Sequence, residues 1–381
     1  MRILVHGGWY GSGNIGDDAI LIGLRNVLSL VSPDLEVVAL SSVPSHTESV
    51  CGVKAIRLSS PLGFMKNQGR YIKAFSDTDA VIISGGTPIY DYDHTSRAIH
   101  VLIPKILKRN QYCFGIGVKS LSSYHGKLIL RSLLGAAKRI SARDRLSQRL
   151  LNSLPLDGVK LTGDSAFFLE PDESGSLDRV MMNCGLDIDA PKVAFCPRVL
   201  SEKYKVHYHD KQSVTGIQDI YYRLAYVADH LISMGYQVLF VPFNREGFDS
   251  DLPAISTIMG SMKNIGATSI SPKIGPGGLL RLFMDMEFVV GLRLHSLIFA
   301  AMSGIPFLTI NYDMKIEGFI DLLDLEDLYS PLLMSGDVDD NIEDMLNKRS
   351  SIRRSLILYH KEIKQRIYAE AVEVAESITS Q

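Results

Sequence analysis

The chain holds 381 residues, with 40 Lys and Arg against 42 Asp and Glu, 46% apolar side chains, 31 Gly and 15 Pro. That length exceeds one ordinary core and suits two domains of about 150–200 residues each, while the apolar fraction excludes wholesale disorder. A net charge of -2 removes the broad electrostatic basis for nucleic-acid binding but leaves an anionic small substrate open.

From Met1 the sequence reads as a strand running into a glycine turn. No apolar core of signal-peptide length follows, so a cytoplasmic protein is expected. Strand-like runs then recur at residues 3–6, 36–40, 80–84, 112–118, 139–142 and 159–162, separated by helix-like segments such as 17–30 and 127–138. Continuous apolar strands alternating with helices predict a parallel sheet covered on both faces. The acidic, turn-rich stretch 170–178 breaks the alternation, which restarts at 192–196, 237–243, 268–270, 288–291 and 307–310. The expected organisation is an α/β chain of two doubly wound, Rossmann-like domains: 1–170 and 191–340, a linker at 171–190, and a helical tail at 341–381 packing back onto the first domain. A cleft between such domains is a preferred place for ligands.

The longest apolar stretch, 288–310, contains Arg293, His295, Gly304 and Pro306 and reads as strand–helix–strand rather than a membrane span. Cys51, Cys113, Cys184 and Cys196 lack C-x-x-C spacing, so neither a disulfide frame nor a zinc site is expected.

Two segments carry candidate chemistry. The first is Gly7-Gly8-Trp9-Tyr10-Gly11-Ser12-Gly13-Asn14-Ile15-Gly16-Asp17-Asp18, between the first strand and the first helix. Glycine allows close backbone approach, and helix-N-terminal N–H groups can receive an anion or a sugar hydroxyl. It is not a P-loop, and no acidic residue ends the second strand as a dinucleotide fingerprint requires. A tight turn with Asp17 capping the helix is the alternative. The second segment, Gly291-Leu292-Arg293-Leu294-His295-Ser296, sets two cationic groups at a strand's carboxyl end, where a helix points its positive terminus. Two buried cations there imply an anion pocket, unless Arg293 forms an internal ion pair and His295 is a hydrogen-bonded core imidazole. Lys315, in Asn311-Tyr312-Asp313-Met314-Lys315, follows the next strand and can converge on His295 or be a solvated surface lysine.

Gly-Asn-Ile-Gly-Asp-Asp-Ala-Ile (13–20), Gly-Leu-Arg-Leu-His-Ser-Leu-Ile-Phe-Ala-Ala (291–301), Gly-Ile-Pro (304–306) and Tyr-Asp-Met-Lys (312–315) resemble the polysaccharide pyruvyl transferase family. The resemblance runs from the first strand to about residue 320 and implies a GT-B-like fold. It also implies transfer of the enolpyruvyl unit of phosphoenolpyruvate to a sugar as a cyclic ketal, with release of phosphate and no cofactor. The acceptor would be a free, polymeric or lipid-linked sugar of a cell-envelope polysaccharide such as an exopolysaccharide, the lipid-linked case placing the protein at the inner face of the membrane.

By position, His295 and Lys315 match the family's catalytic and donor-binding pair, and Arg143 matches an arginine used on the donor, with a strand-end salt bridge to Asp144 as its alternative. Gly13, Asn14, Gly16 and Asp17 match the acceptor-side loop. Arg293 and Arg198, also at strand ends, complete the expected substrate-binding set. Such a basic rim suits phosphoenolpyruvate, whose carboxylate and phosphate carry up to about three negative charges. A histidine near neutral pKa suits the proton transfer that ketal formation needs.

Where the family often has three glycines, this chain has Ser84-Gly85-Gly86-Thr87-Pro88; His100, His125 and the run Tyr204-Lys205-Val206-His207-Tyr208-His209 match no motif. The rival activity is a nucleotide-sugar glycosyltransferase or a sugar-nucleotide epimerase. Many such transferases place a glutamate five residues before the Gly-x-Pro turn, and Phe299 stands there. A non-catalytic glycan-binding partner is the third reading, without need of the basic constellation.

Overall fold

The computed structural model describes residues 1–57, 69, 72–90, 103–119, 127, 130–131, 134–154, 156, 158–173, 181–182, 184–200, 217–264, 266–270, 274–325, 328–331, 333 and 337–380. His100, His125 and the Tyr204–His209 run lie outside them, as does part of the expected linker. Packing divides the chain into Met1–Leu169 with Glu362–Gln381, and Glu170–Lys361.

The first unit is built on β1 (Arg2–Gly7), β2 (Glu36–Ser41), β3 (Lys54–Arg57), β4 (Ala80–Ser84), β6 (Asn110–Ile116), β8 (Ala137–Ala142) and β9 (Lys160–Leu161). They form one sheet in the order β3-β2-β1-β4-β6-β8-β9, every pairing parallel. β1 lies between β2 and β4, with Val5 opposite both Ala39 and Ile82. All five residues of β4 are buried, as a strand covered on both faces requires. A small pair, β5 (Ile89–Tyr90) with β7 (Val118–Lys119), stands apart. The expected strand 112–118 is therefore two: β6 ends at Ile116, and Val118 pairs elsewhere. The expected helix 127–138 is also too long, because β8 begins at Ala137.

Helix α1 (Ile15–Val31) covers the sheet, and α2 (Pro44–Cys51) and α3 (Arg145–Asn152) follow β2 and β8. Asp17 and Asp18 occupy the first turn of α1, at the positive end of its dipole.

The second unit holds β10 (Lys192–Cys196), β11 (Gln237–Phe240), β12 (Ala267–Ser269), β13 (Phe288–Gly291) and β14 (Phe307–Leu308), ordered β12-β11-β10-β13-β14 and again all parallel. β11 stops three residues short of the expected 243; Pro242 cannot donate to a ladder, and the Phe243 N–H turns to Asp251 instead. Helices α4 (Ile217–Ser233), α5 (Leu252–Ser261), α6 (Pro276–Phe283), α7 (Leu294–Ser303) and α8 (Met314–Leu323) intervene. Phe243, Phe283 and Phe299 meet edge to face at 5.5–5.9 Å in its core. Position 299 thus holds up the core. α7 ends on Gly304 at φ +66°, the left-handed cap that stops the helix before Pro306.

The last helix, α9 (Val338–Thr379), begins in the second unit and ends in the first. Its terminal part buries Ile363, Ile367, Ala371, Val374, Ala375 and Ile378, a stripe at helical spacing. Arg139 donates to Glu370 at 2.9 Å and Tyr112 meets Ser377 Oγ at 2.9 Å, fastening that stripe to β8 and β6. No helix among the described residues is long and apolar enough to cross a membrane.

Candidate functional site

In a parallel sheet every strand delivers the next residue to the same rim, so the carboxyl ends of β1, β4, β6 and β8 gather the first unit's candidates. The glycine-rich loop leaves β1 and is anchored by Tyr10. Its side chain is buried and its hydroxyl donates to the Ser84 carbonyl at 2.7 Å. Burial, and next the charge of Asp17, push the Tyr10 pKa well up, so the group remains a donor. Gly11 sits at φ +78°, and a Cβ there would fall 2.3 Å from Ser41 Oγ and 2.7 Å from the Val43 nitrogen. The chain can pass β2 so closely only without a side chain.

Asn14, not Asp17, caps α1. Asn14 has extended backbone (φ -82°, ψ 106°) and its Oδ1 accepts from the Gly16 N–H at 3.1 Å. Its Nδ2 donates to Asp17 Oδ2 at 2.7 Å, so the amide holds the carboxylate in place. Asp17 lies inside the first turn, where the cap geometry is already taken. Gly13, at φ +80°, and Gly16 shape the same entry.

Arg143 follows β8 and is 4% exposed. Its Nη1 donates to Asp164 Oδ2 at 3.4 Å and its Nε to Asp144 Oδ2 at 3.5 Å. Both contacts are at the outer limit for hydrogen bonds and well beyond the 2.7–2.9 Å usual for charged pairs. The two carboxylates are otherwise engaged: Asp144 Oδ1 accepts from the Ser147 N–H at 2.7 Å and Asp164 Oδ1 from the Ala166 N–H at 3.0 Å. The salt bridge anticipated with Asp144 exists, loosely. Room for the guanidinium comes from Gly117, whose Cβ would lie 2.7 Å from Arg143 Nη2. A Cβ on Gly86 would lie 3.7 Å from Asp17 Oδ1 and 3.9 Å from Arg143 Nη1, so Asp17 and Arg143 both approach the turn after β4, where this chain has Ser84-Gly85-Gly86-Thr87-Pro88.

In the second unit β13 lies between β10 and β14, and each delivers a cation at its carboxyl end. Arg198 follows β10. Arg293 and His295 follow β13, the latter as the second residue of α7. Lys315 is the second residue of α8, after β14. His295 and Lys315 are half-buried, and the Lys315 N–H donates to the capping Asp313 Oδ1 at 3.1 Å. His295 and Lys315 thus each follow one of two neighbouring strands of the sheet.

Arg293 was expected to bind substrate, yet its guanidinium is held internally. Nε and Nη2 donate to Asp251 Oδ1 at 2.9 and 2.6 Å, Nη1 to Asp249 Oδ2 at 2.7 Å, and Nη2 also to the Asp249 carbonyl at 2.6 Å. Burial opposes its charge, and Asp251 and Asp249 outweigh that, so its pKa lies above the ordinary arginine value. Asp251 is fully buried and also accepts the Phe243 and Asn244 N–H groups at 3.0 and 2.9 Å. Arg293 is the keystone of a framework, as the internal-ion-pair alternative anticipated.

Arg198 hangs on the same framework more loosely. Its Nη2 donates to Asp249 Oδ1 at 3.2 Å and its Nη1 to the Tyr312 hydroxyl at 3.3 Å. Burial raises the Asp249 carboxyl, but Arg293 and then Arg198 pull it down further, leaving it below the usual aspartate range. Tyr312 donates to the Leu292 carbonyl at 2.7 Å, and its pKa is pushed up to about 12, chiefly by burial. Asp249 and Asp251 went unread in the sequence, where the signal was an Asp-Ser-Asp triplet before the Leu-Pro start of α5. Among the described residues no group of three or more His, Cys, Asp or Glu is placed to hold a metal ion.

Two units with parallel sheets, each presenting polar residues at its carboxyl rim, define a GT-B-type protein. The glycosyltransferase from Rickettsia africae matches with a TM-score of 0.64 at 10% identity, over 99% of this chain and 98% of that one. Anabaena HepE in complex with UDP and glucose gives 0.63 at 11%, over 100% and 99%. The UDP-GlcNAc 2-epimerase of Neisseria meningitidis, bound to UDP-GlcNAc, gives 0.61 at 12%, over 100% and 99%. At these identities the likeness is one of fold. The finer assignment comes from sequence: the model of the polysaccharide pyruvyl transferase family matches residues 14–314, and the chain belongs to that family.

Proposed function

We propose that the protein transfers the enolpyruvyl unit of phosphoenolpyruvate to a sugar of a cell-envelope polysaccharide or its precursor, forming a pyruvate ketal and releasing phosphate. The observation that carries this reading is that Arg198, His295 and Lys315 follow three adjacent strands of one parallel sheet, and that Arg293, after the middle strand, is tied to Asp249 and Asp251. Such a set supplies counter-charge for a carboxylate and a phosphate together. Family membership supports the same donor.

The chemistry balances without a cofactor. One sugar hydroxyl adds to the central carbon of the donor, losing its proton to a base, while an acid delivers a proton to the donor's methylene carbon, which becomes a methyl group. Phosphate leaves with the C–O bonding pair, and a second hydroxyl closes the ketal, its proton going to a base. His295 is assigned the proton transfer, Lys315, Arg198 and Arg143 the donor, and Asn14, Gly13, Gly16 and Asp17 the acceptor. Arg293 acts through Asp249 as a positioning residue. A cytoplasmic protein, drawn to the inner face of the membrane where the acceptor is lipid-linked, fits this assignment.

The test is phosphate release from phosphoenolpyruvate across a panel of sugar acceptors, with the ketal product detected by mass spectrometry. Release that depends on acceptor, with a product carrying the pyruvate unit, sustains the reading. Turnover of a nucleotide sugar instead, with phosphoenolpyruvate inert, overturns it.

A further inference from the structure

Helix α9 changes character along its length. It opens with Asp339, Asp340, Glu343 and Asp344, but from Met345 to Lys361 it has no acidic residue and five cations: Lys348, Arg349, Arg353, Arg354 and Lys361. This stretch belongs to the second unit. Ile352 and Leu356, fully buried, fix its inward side. A Cβ on Gly304 would lie 3.0 Å from Ile357 Cγ1 and 3.6 Å from Arg353 Cγ, so these side chains rest at their bases on the end of α7. The other side is open. Arg354, Ile357, Leu358 and Lys361 stand at i, i+3, i+4 and i+7, one helical face, and Arg353 lies one turn before Ile357. All five are exposed, Ile357 by 51% and Leu358 by 68%.

The charge of this face is not cancelled from within. Lys348 pairs with Asp344 at 2.7 Å and Arg349 with Glu287 at 3.0 Å, while Glu362, just beyond the stretch, pairs with Arg366. Among the described residues Arg353, Arg354 and Lys361 have no carboxylate partner; Arg354 donates to Ser351 Oγ at 3.3 Å. Two neighbouring aliphatic side chains set among such cations match a surface that is anionic outside and hydrocarbon beneath. A second copy of the chain fits poorly, because a two-fold contact would set like cations against each other. Nucleic acid offers phosphate but nothing for Ile357 and Leu358. We infer that this face of α9 docks on an anionic lipid surface, with Arg353, Arg354 and Lys361 meeting the headgroups and Ile357 and Leu358 entering the boundary with the acyl chains. Such docking deepens the peripheral placement proposed above and rests on that reading for the side of the membrane alone.

The experiment sediments the full chain, without substrates, with vesicles of phosphatidylcholine alone or mixed with phosphatidylglycerol. Association should be saturable on the mixed vesicles, weak on phosphatidylcholine alone, and lost as salt is raised. Replacing Arg353, Arg354 and Lys361 together by Gln should weaken it about a hundredfold, near fivefold for each cation. Ile357→Gln with Leu358→Gln should weaken it about tenfold. Both variants should keep the parent's melting curve, since the replaced side chains are exposed. The docking face is overturned if the parent stays in solution with the mixed vesicles, or if both vesicle types bind it equally. It is equally overturned if the basic variant binds as tightly as the parent. Retention on a DNA duplex, or self-association broken by the same substitutions, without vesicle binding, also overturns it. Phosphate release in solution without vesicle binding removes the docking face and keeps the transfer; vesicle binding without phosphate release does the reverse.

Discussion

The two carboxyl rims use arginine in opposite ways. In the first unit Arg143 faces two carboxylates, Asp144 and Asp164, yet its ion pairs with them are 3.5 and 3.4 Å long. In the second, Arg293 is clamped at 2.6–2.9 Å by two aspartates, and cations of looser attachment stand beside it. A buried guanidinium with short bonds to carboxylates has already met its counter-ion, whereas one with long bonds retains capacity for a ligand. Bond length, rather than burial, separates the two arginines: Arg143 and Arg293 are almost equally buried. The charge balance also differs. In the first rim Asp144 and Asp164 stand beside one arginine, whereas in the second Asp249 and Asp251 are shared by two, Arg198 and Arg293.

The sharpest way to test that contrast is His295→Ala. It should lower phosphate release by about 10²–10⁴-fold with the thermal midpoint unchanged, as expected for a lost proton-transfer group. Turnover near the parent rate would remove His295 from the chemistry. Asp251→Ala attacks the framework instead. It leaves Arg293 with Asp249 alone, strips two interior backbone N–H groups of their acceptor, and should cost about 3–5 kcal/mol in urea unfolding. A loss below about 1 kcal/mol would mean that the clamp is not structural.

Asn14→Ala should cost about 1 kcal/mol through the lost cap, and remove one of the groups that hold Asp17. Acceptor KM should rise while that of phosphoenolpyruvate holds, and the reverse pattern would exchange the roles of the two rims. The smallest effect is in acid. The Asp249 carboxyl titrates below its unfolded value of about 3.9, so its contribution to stability is complete above that pH and disappears as pH falls through the lower folded value. Thermal midpoints followed from about pH 5 down to about pH 3 should fall less steeply for Asp249→Asn than for the parent, and equal slopes would contradict the pairing.

Elements whose stability comes from their own residues were legible in the sequence. β4, β10 and β13 are short, mainly apolar runs, and the two halves declared themselves by alternation. α2, with the sequence Pro-Ser-His-Thr-Glu-Ser-Val-Cys, has no apolar stripe, and β3, Lys-Ala-Ile-Arg, is a short sheet edge; neither carried a periodic signal. At the site, the strand-end residues could be picked from motif order, but their roles could not. Arg293 meets Asp249 and Asp251 across 44 and 42 residues of sequence, and no spacing rule spans such a gap. Asp17 and Asn14 are both residue types that cap helices, and the extended backbone at Asn14 decides between them.

The path of α9 bears on how the molecule is made. The first unit's sheet is complete by Leu161, yet its β6 and β8 are fastened by Ser377 and Glu370, and Gly163 faces Ile363 and Ile367. Those partners emerge from the ribosome about two hundred residues later, some 10–40 s at ordinary synthesis rates. Until then the nascent first unit lacks part of its covering, with an apolar seam open to a holdase or to a neighbouring chain. Completion runs against the direction of translation: the half that begins first is sealed last.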